Sequence, residues 1–278
     1  MGTIIITGST GYIGTRVLKK IKDMASDCQI LTIGRDWSVF DKDIDFEVHS
    51  VVHLATLSTS SDRCEVIEPM LNANILFGTK LLNWLDRSGQ KDIPFINTGS
   101  FAEYRPGLEN AYQPAYLYTA TKTAFRSILQ YYEAKKVCKV ITAVPYTVYG
   151  EQDRNKKIIN YLFDAINSQT PVPFTKGEQV LDFIHVQDVA RFFAMIALRP
   201  DSLDAGTYHL GTGIGTSIRQ LARMIEQQTG KKLNADWGAL PYRPLDVMKA
   251  VAPQNKQLNA VWQPKITLEQ GLKEYVKN

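Results

Sequence analysis

Cysteine is scarce in this sequence. There are three in 278 residues, and Cys28, Cys64 and Cys138 stand far apart with no Cys-x-x-Cys pair. Such a set supports neither a disulfide framework nor a zinc site, and it leaves reduced thiols of the kind a cytosolic protein carries. Histidine is nearly as rare. His49, His53, His185 and His209 form no His-Glu-x-x-His pattern and no i,i+4 ligand pair, so no metal is expected. Long apolar runs are missing too: Phe192–Leu198 is about as long as they get, far short of the roughly 18 residues a membrane span requires. From Met1-Gly2-Thr3 the chain enters Ile4-Ile5-Ile6 at once, which leaves no room for a signal peptide, and Ile6 stands where an N-myristoylation motif carries Ser or Thr. A cytoplasmic protein with no membrane partner is the expectation. An excess of one charge is also lacking, since 32 Lys and Arg against 28 Asp and Glu leave a net charge of +4. The basic residues gather no further than pairs such as Lys156-Lys157 and Lys231-Lys232. A nucleic-acid partner would need a basic face, so none is expected. No Gly-x4-Gly-Lys-Ser/Thr stretch occurs either, which removes the common nucleoside triphosphatases.

Apolar residues make up 44% of the chain and aromatics 10%, enough for a sizeable core. The length fits one large domain or two unequal lobes. Through the first half, short apolar runs alternate with helical patterns, as parallel βαβ units do. The runs are Thr3–Thr7, Gln29–Ile33, Ser50–Leu54, Pro94–Asn97 and Lys139–Val144, and the helical patterns are Thr15–Asp23, Met70–Arg87 and Tyr116–Lys135. After Gly150 the order loosens. A helix over Lys156–Ser168 and an extended Pro-rich piece, Pro171–Phe174, come first. Asp182–Val186, a helix over Gln187–Leu198 and Thr207–Leu210 then read as a return to the main sheet. Beyond them lie an amphipathic helix, Ile218–Thr229, and a Pro-studded tail. The expected fold is an α/β doubly wound parallel sheet. Its core would span 1–150 and 181–211, with a small, mostly C-terminal substrate lobe from 151–180 and 212–278.

Between the first strand and the first helix stands Thr7-Gly8-Ser9-Thr10-Gly11-Tyr12-Ile13-Gly14. Glycines at 8, 11 and 14 permit a sharp turn, close approach to a ligand and tight helix–sheet contact. The positive helix end then faces a pyrophosphate. A tight βα turn without a ligand uses the same residues, but the strand–turn–helix context is the one a dinucleotide site requires. At the end of the second strand, Leu31-Thr32-Ile33-Gly34-Arg35 puts glycine where an NAD site carries an acid. A guanidinium there suits the 2′-phosphate of NADP. NADP(H) is therefore favoured, and Asp36, one residue on, leaves NAD(H) open.

Tyr118 and Lys122 lie one helical turn apart on one face. A phenol with a pKa of about 10 becomes a usable acid or base beside a cation. Ser100, at the end of the preceding strand in Asn97-Thr98-Gly99-Ser100, offers a hydroxyl to a substrate oxygen. An isolated Tyr-x3-Lys pair is usually a surface pair; the company of Ser100 argues for chemistry.

Taken together, the glycine spacing, Ser100, Tyr118 and Lys122 resemble the extended short-chain dehydrogenase/reductase family that acts on nucleotide sugars. His53-Leu54-Ala55, Asn74, Val148-Tyr149-Gly150, Asp182–Ala190, Tyr242–Val247 and Trp262-Gln263-Pro264 are similar to further family stretches, so the likeness spans nearly the whole chain. It implies a Rossmann core and a catalytic set of Ser100, Tyr118 and Lys122. It implies a cofactor held by Gly8, Thr10, Gly11, Tyr12, Ile13, Gly14, Arg35, Leu54, Ala55, Asn74, Tyr118, Lys122 and Pro145. Substrate contacts would fall to Ser100, Phe101, Thr147 and Arg243, the last at the diphosphate. A homodimer through helices 70–87 and 116–135 is the pairing that many relatives show. Outside these roles, His185 reads as a packed strand residue and Gly211-Thr212-Gly213 as a plain loop.

Departures from the family pattern separate its branches. Dehydratases carry an Asp-Glu pair where Phe101 and Ala102 stand here, and decarboxylating members look for an acid in the same stretch. Neither residue can move a proton. Reductases that also epimerise use an added Cys and His, and no cysteine lies near Ser100 in sequence. Leu181 and Val144 replace two usual arginines, which leaves the nucleotide base open. The overall look is that of bacterial reductases of CDP- or dTDP-4-keto-6-deoxyhexoses, which serve deoxysugar, O-antigen and lipopolysaccharide biosynthesis. The expected reaction is NADPH-dependent reduction of a C4 keto group. The alternatives are an NAD-dependent UDP-sugar 4-epimerase and a non-catalytic NADP(H)-binding or sensing protein.

Overall fold

Five β-branched residues in succession, Thr3–Thr7, form the first strand, β1, and all five are buried. Such a strand belongs inside a parallel sheet covered on both faces. The computed structural model describes residues 2–104, 112–150, 153 and 155–276, and it holds β1 in that setting. The chain continues through α1 (Tyr12–Met24), β2 (Ile30–Ile33), β3 (Val48–His53), α2 (Cys64–Leu71), α3 (Phe77–Arg87), β4 (Ile93–Thr98), α4 (Leu117–Ala134) and β5 (Cys138–Pro145). Next come β6 (Thr147–Tyr149), α5 (Ile158–Asn167), β7 (Val172–Phe174), β8 (Val180–His185), α6 (Val186–Leu198) and β9 (Gly206–Leu210). The last elements are β10 (Gly215–Ser217), α7 (Ile218–Thr229), β11 (Ala235–Trp237), β12 (Lys249–Ala250), α8 (Lys256–Val261) and α9 (Leu268–Val276). Positions 151, 152 and 154, at the head of the expected 151–180 lobe segment, lie outside the described residues.

Six parallel strands in the order β2-β1-β3-β4-β5-β9 make the main sheet, so the doubly wound expectation holds. Alternation along β1 divides the core. Ile4 and Ile6 pack under α1 and α6 with Val17, Ile21, Val189 and Phe193. Ile5 packs on the opposite face, under α3 and α4, with Leu81, Leu85, Phe125 and Leu129. Strand order reverses between β1 and β3. That opens a crevice at their carboxyl ends, the place where such sheets bind ligands.

Two expectations are corrected. Asp182–Val186 does not rejoin the main sheet: β8 pairs with β6, β12 and, antiparallel, with β10. A short apolar run announces a buried strand but not the sheet that receives it. The helix expected over 70–87 starts earlier, at Cys64, with Pro69 inside it and a π turn at Asn72–Leu76 before α3. Proline reads as a boundary in sequence, yet here it sits well inside a helix. Helices α8 and α9 were hidden in the Pro-studded tail.

The smaller sheets pack with α5, α7 and α9 around Ile159, Leu162, Phe174, Leu221, Ile225 and Leu272. Two buried carboxylates fasten the connections. Asp182 accepts the N–H of Thr212 at 2.9 Å, of Gly213 at 2.8 Å and of Ala252 at 3.2 Å, so the 211–213 loop is pinned from below. Asp188 accepts the N–H of Lys265 at 2.9 Å and of Ile266 at 2.8 Å. His185 is a packed strand residue, its Nε2 3.0 Å from Glu274. Among the described residues no helix is long and apolar enough to cross a membrane.

Candidate active site

The β1–α1 turn shows why its glycines are there. Gly8 has φ +68°, and a Cβ on it would stand 2.6 Å from the Ala55 N. A Cβ on Gly14 would overlap the Gly8 carbonyl oxygen, so α1 can lie this close to the turn only with glycine there. Gly11 caps α1, and Tyr12 and Ile13 open it, which leaves first-turn amides without helical acceptors beside the exposed Thr10 and Gly11. Thr7 ties the facing strand end in place: its Oγ1 accepts the Ala55 N–H at 3.2 Å and lies 2.9 Å from His53 Nδ1. Gly8, Leu54 and Ala55 thus wall one crevice. The Tyr12 ring turns to another task, lying under Arg16 and Lys157 at 4.5 and 4.9 Å from its centroid.

Past β2, Arg35 is exposed and, among the described residues, has no ion-pair partner. Asp36 is engaged elsewhere. Its Oδ1 accepts the Ser38 N–H at 2.9 Å and caps a short 3-10 turn, a bond that holds its carboxyl below the usual range.

Asn74, in the π turn, is buried and satisfied on all four positions. It accepts from Thr56 Oγ1 at 2.9 Å and Leu57 N at 2.7 Å, and donates to Leu57 O at 3.1 Å and Thr121 Oγ1 at 2.9 Å. Its side chain therefore pins the segment after β3 to α4, and any hold it has on a cofactor is indirect. That segment carries Thr56 and Ser58, whose hydroxyls lie close enough to the Tyr118 phenol to favour its ionised form. Neither was singled out from sequence, because lone hydroxyls after a strand carry no spacing signal.

Tyr118 and Lys122 share the inner face of α4. Burial, then the Glu103 charge, pushes the Tyr118 phenol up to about 12. Lys122 is 3% exposed and, among the described residues, its ammonium has no hydrogen bond. Burial pulls it down to about 8, so its charge is present at neutral pH and is lost as pH rises through that value. An ammonium on so nearly buried a side chain, not hydrogen-bonded among the described residues and beside a crevice that glycines keep open, fits the ribose and phosphate of a dinucleotide. His53, against the same region, is pulled down to about 3 by burial first and Lys122 second, and stays neutral.

Ser100 caps a 3-10 turn over Phe101–Glu103, its Oγ accepting the Ala102 N–H at 3.3 Å. Its own N–H donates to Glu103 Oε1 at 2.6 Å. Because Glu103 also acts on Tyr118 and Lys122, the three expected catalytic residues converge on one neighbourhood. Cys138 opens β5 beside Ile93, at the opposite end of the strands from Ser100.

On the other wall, Phe101 stacks on Tyr146, with centroids 5.5 Å apart. Phe101, Tyr116, Tyr146 and Leu181 close over Ala102, Ala115, Val247 and Ala250 in a small apolar cluster. Between Tyr146 and β8, the Thr147 hydroxyl is shielded and has no hydrogen bond. Pro145 ends β5 beside Leu210. Arg243 is exposed, its N–H donating to Asp246 Oδ2 at 3.1 Å, while Asp246 Oδ1 accepts the Tyr116 hydroxyl at 2.9 Å. That contact brings Arg243 to the head of α4, two residues from Tyr118. Tyr116 and Asp246, unremarked in sequence, are the link.

The model of the NAD dependent epimerase/dehydratase family matches residues 4–211. A CDP-abequose synthase of Salmonella typhimurium is 29% identical over 99% of this chain and 97% of its own length. A UDP-glucuronate 4-epimerase of Thermodesulfobacterium geofontis is 27% identical over 99% of this chain and 95% of its own. The solved UDP-glucose 4-epimerase of Thermus thermophilus, in complex with NAD, superposes with a TM-score of 0.79 at 22% identity, covering 99% of this chain and 98% of that one, a likeness of fold.

Proposed function

This chain belongs to the NAD dependent epimerase/dehydratase family, and from that premise we propose that it reduces the C4 keto group of a nucleotide-activated 4-keto-6-deoxyhexose with NADPH. The observation that carries the reading is the make-up of the site around Ser100, Tyr118 and Lys122. Phe101 and Ala102 occupy the places for a second acid and base, and Glu103, the carboxylate next along among the described residues, is bound to Arg126 at 2.7 Å. Such a site can protonate one oxygen, and positions 101 and 102 offer no group to remove water or invert a neighbouring carbon.

Gly8, Thr10, Gly11, Tyr12, Ile13 and Gly14 would hold the pyrophosphate of the cofactor, and Leu54, Ala55 and Pro145 would flank the remainder. Arg35, free while Asp36 is tied to Ser38, supports a 2′-phosphate and hence NADP(H) over NAD(H). When bound, the nicotinamide supplies the hydride. Tyr118 donates the proton to the C4 oxygen, and a phenol at about 12 is in the acid form throughout the working range. Lys122 supplies the cation that favours phenolate after transfer, and holds ribose hydroxyls. Ser100 Oγ donates to the carbonyl oxygen and orients it. Thr147 and Arg243 serve the sugar and diphosphate. The apolar cluster of Phe101, Tyr146, Leu181 and Val247 suits a sugar short of hydroxyls. The CDP-abequose synthase relative supports a CDP-sugar and a role in O-antigen deoxysugar synthesis. The exposed Ile67, Leu71 and Leu76 in the 64–87 helical stretch, with Tyr131 on α4, support a homodimer through these helices.

A UDP-sugar 4-epimerase is the second reading, favoured by the epimerase relative at 27% identity. Stoichiometry separates the two. Against CDP-, dTDP-, UDP- and GDP-4-keto-6-deoxyhexoses, a reductase oxidises one NADPH per product. Inversion at C4 of a UDP-hexose, which carries a hydroxyl rather than a keto group there, with no net absorbance change at 340 nm would reject reduction in favour of epimerisation.

A further inference from the structure

Glu103 and Arg126 form a buried ion pair directly behind the reacting groups, at 0% and 7% exposure. Arg126 lies on α4 one turn beyond Lys122 and two beyond Tyr118, so the three share one stripe. Its Nε donates to Glu103 Oε2 at 2.7 Å and its Nη2 to Oε1 at 3.2 Å, a two-point grip. Glu103 Oε1 also accepts the Ser100 N–H at 2.6 Å, and Oε2 the Thr123 hydroxyl at 3.5 Å. The guanidinium reaches Thr207 Oγ1 on β9 at 3.2 Å. Gly99 is shaped around the pair: a Cβ there would stand 2.6 Å from Arg126 Nη2 and 2.8 Å from Glu103 Oε1. One carboxylate therefore ties the residue that orients the carbonyl to the helix that bears the proton donor and the ammonium.

Burying two charges costs desolvation energy that their attraction roughly repays, so stability alone is a weak reason to keep such a pair. Geometry supplies a stronger one. Ser100 lies two residues past β4 and Tyr118 is the second residue of α4, so the two come from separate elements. A group that touches both elements fixes one against the other. We propose that Glu103 and Arg126 are a positioning pair that fixes Ser100 against the Tyr118–Lys122 face of α4 and so sets the alignment of the reacting carbonyl. The proposal rests on the reading of Ser100, Tyr118 and Lys122 as the reacting set.

The pair also shapes the local field. Among the described residues, the charged and titratable groups that face Tyr118 and Lys122 are Glu103 from the 3-10 turn, Arg126 from α4 itself and His53 from β3. Tyr104, Tyr112 and His209 face Arg126 from its far side. Thr56, Ser58 and Asn74, from the other elements against α4, carry no charge. Glu103 raises the Lys122 pKa and Arg126 lowers it, so the two effects oppose.

The test compares four variants in NADPH-oxidation kinetics over pH: Glu103→Gln, Arg126→Met, Arg126→Lys and the double Glu103→Gln/Arg126→Met. A misplaced carbonyl should lower kcat by about ten- to hundredfold with KM for the sugar nucleotide little changed. Loss of Glu103 alone should move the alkaline limb of kcat to lower pH, because Lys122 loses the charge that holds its proton. Loss of Arg126 alone should move that limb to higher pH. Both absent, the limb should return near the parent's while kcat stays low, since Ser100 still lacks its anchor. Arg126→Lys should recover most of the rate. If a single variant does not fold, the double variant, which leaves no uncompensated charge, carries the kcat test. Folded variants with parental kcat and an unmoved limb overturn the proposal. Near-parental activity in Tyr118→Phe would instead overturn the site on which it rests, a distinct outcome.

Discussion

Tyr118 keeps its proton well past neutrality, at about 12, so it enters a reduction already as an acid. Replacing it by Phe keeps the ring and removes only that proton. Turnover should fall by about 10²- to 10⁴-fold with cofactor affinity retained, measured by single-turnover NADPH oxidation and fluorescence titration. A loss below tenfold would assign the proton to another group. Arg35 is argued at the same scale. Nothing in the described structure engages it, while Asp36 is bound to Ser38. Arg35→Ala should weaken NADPH binding by roughly ten- to hundredfold and leave NADH unchanged, the worth of a charge-assisted contact. An unchanged NADPH-to-NADH ratio would defeat the assignment.

Among the elements, the β1–α1 unit is the least forgiving. Gly14→Ala drives a methyl into the Gly8 carbonyl, backbone against backbone, so α1 must shift from the sheet. A loss of about 1–3 kcal/mol is expected in chemical denaturation, together with weaker cofactor binding. Gly34→Ala is the control, since a Cβ there meets nothing within 4 Å. Equal stability of the two variants would refute the packing argument. The π turn at Asn72–Leu76 acts by a different route. It carries a buried asparagine that fixes Thr56, Leu57 and Thr121 relative to one another, and so presents Ser58 and Thr56 to the phenol. π turns recur at functional sites, and this one lies between α2 and α3.

Across the whole molecule, the two walls of the site come from distant parts of the chain, and few polar contacts join them. Tyr116 to Asp246 is one, at 2.9 Å. Within the smaller lobe, Tyr275 on α9 is tied to Gly150 after β6: the Gly150 N–H donates to the Tyr275 hydroxyl at 3.0 Å, and that hydroxyl donates to the Gly150 carbonyl at 2.6 Å. Tyr116→Phe breaks the first without touching the cofactor side. The KM for the sugar nucleotide should rise roughly three- to tenfold, the net worth of one hydrogen bond, while NADPH affinity holds. A change in NADPH affinity instead would mean that the contact governs the crevice rather than Arg243.

Much of the candidate site was legible because its chemistry is local. Gly8, Gly11 and Gly14 declare a turn by their spacing, Tyr118 and Lys122 share a helix face by theirs, and β1 announces burial by β-branching at every position. The doubly wound sheet follows from the alternation of such segments. Contacts between distant residues leave no comparable trace. Glu103 stands in no motif, and its partner Arg126 is 23 residues on. The 182–186 run read as a strand of the main sheet because apolarity does not name a partner, and Asn74 read as a cofactor ligand because its four bonds go to two segments distant in sequence, the stretch after β3 and α4. Sequence by itself determined most of the elements, the glycine turn after β1 and the shared helix face of Tyr118 and Lys122, all of which depend on periodicity and residue type over a few positions. Tertiary structure alone decided which charges neutralise one another, which sheet takes β8 and which residues wall the substrate side, because these depend on distances that chain separation does not encode.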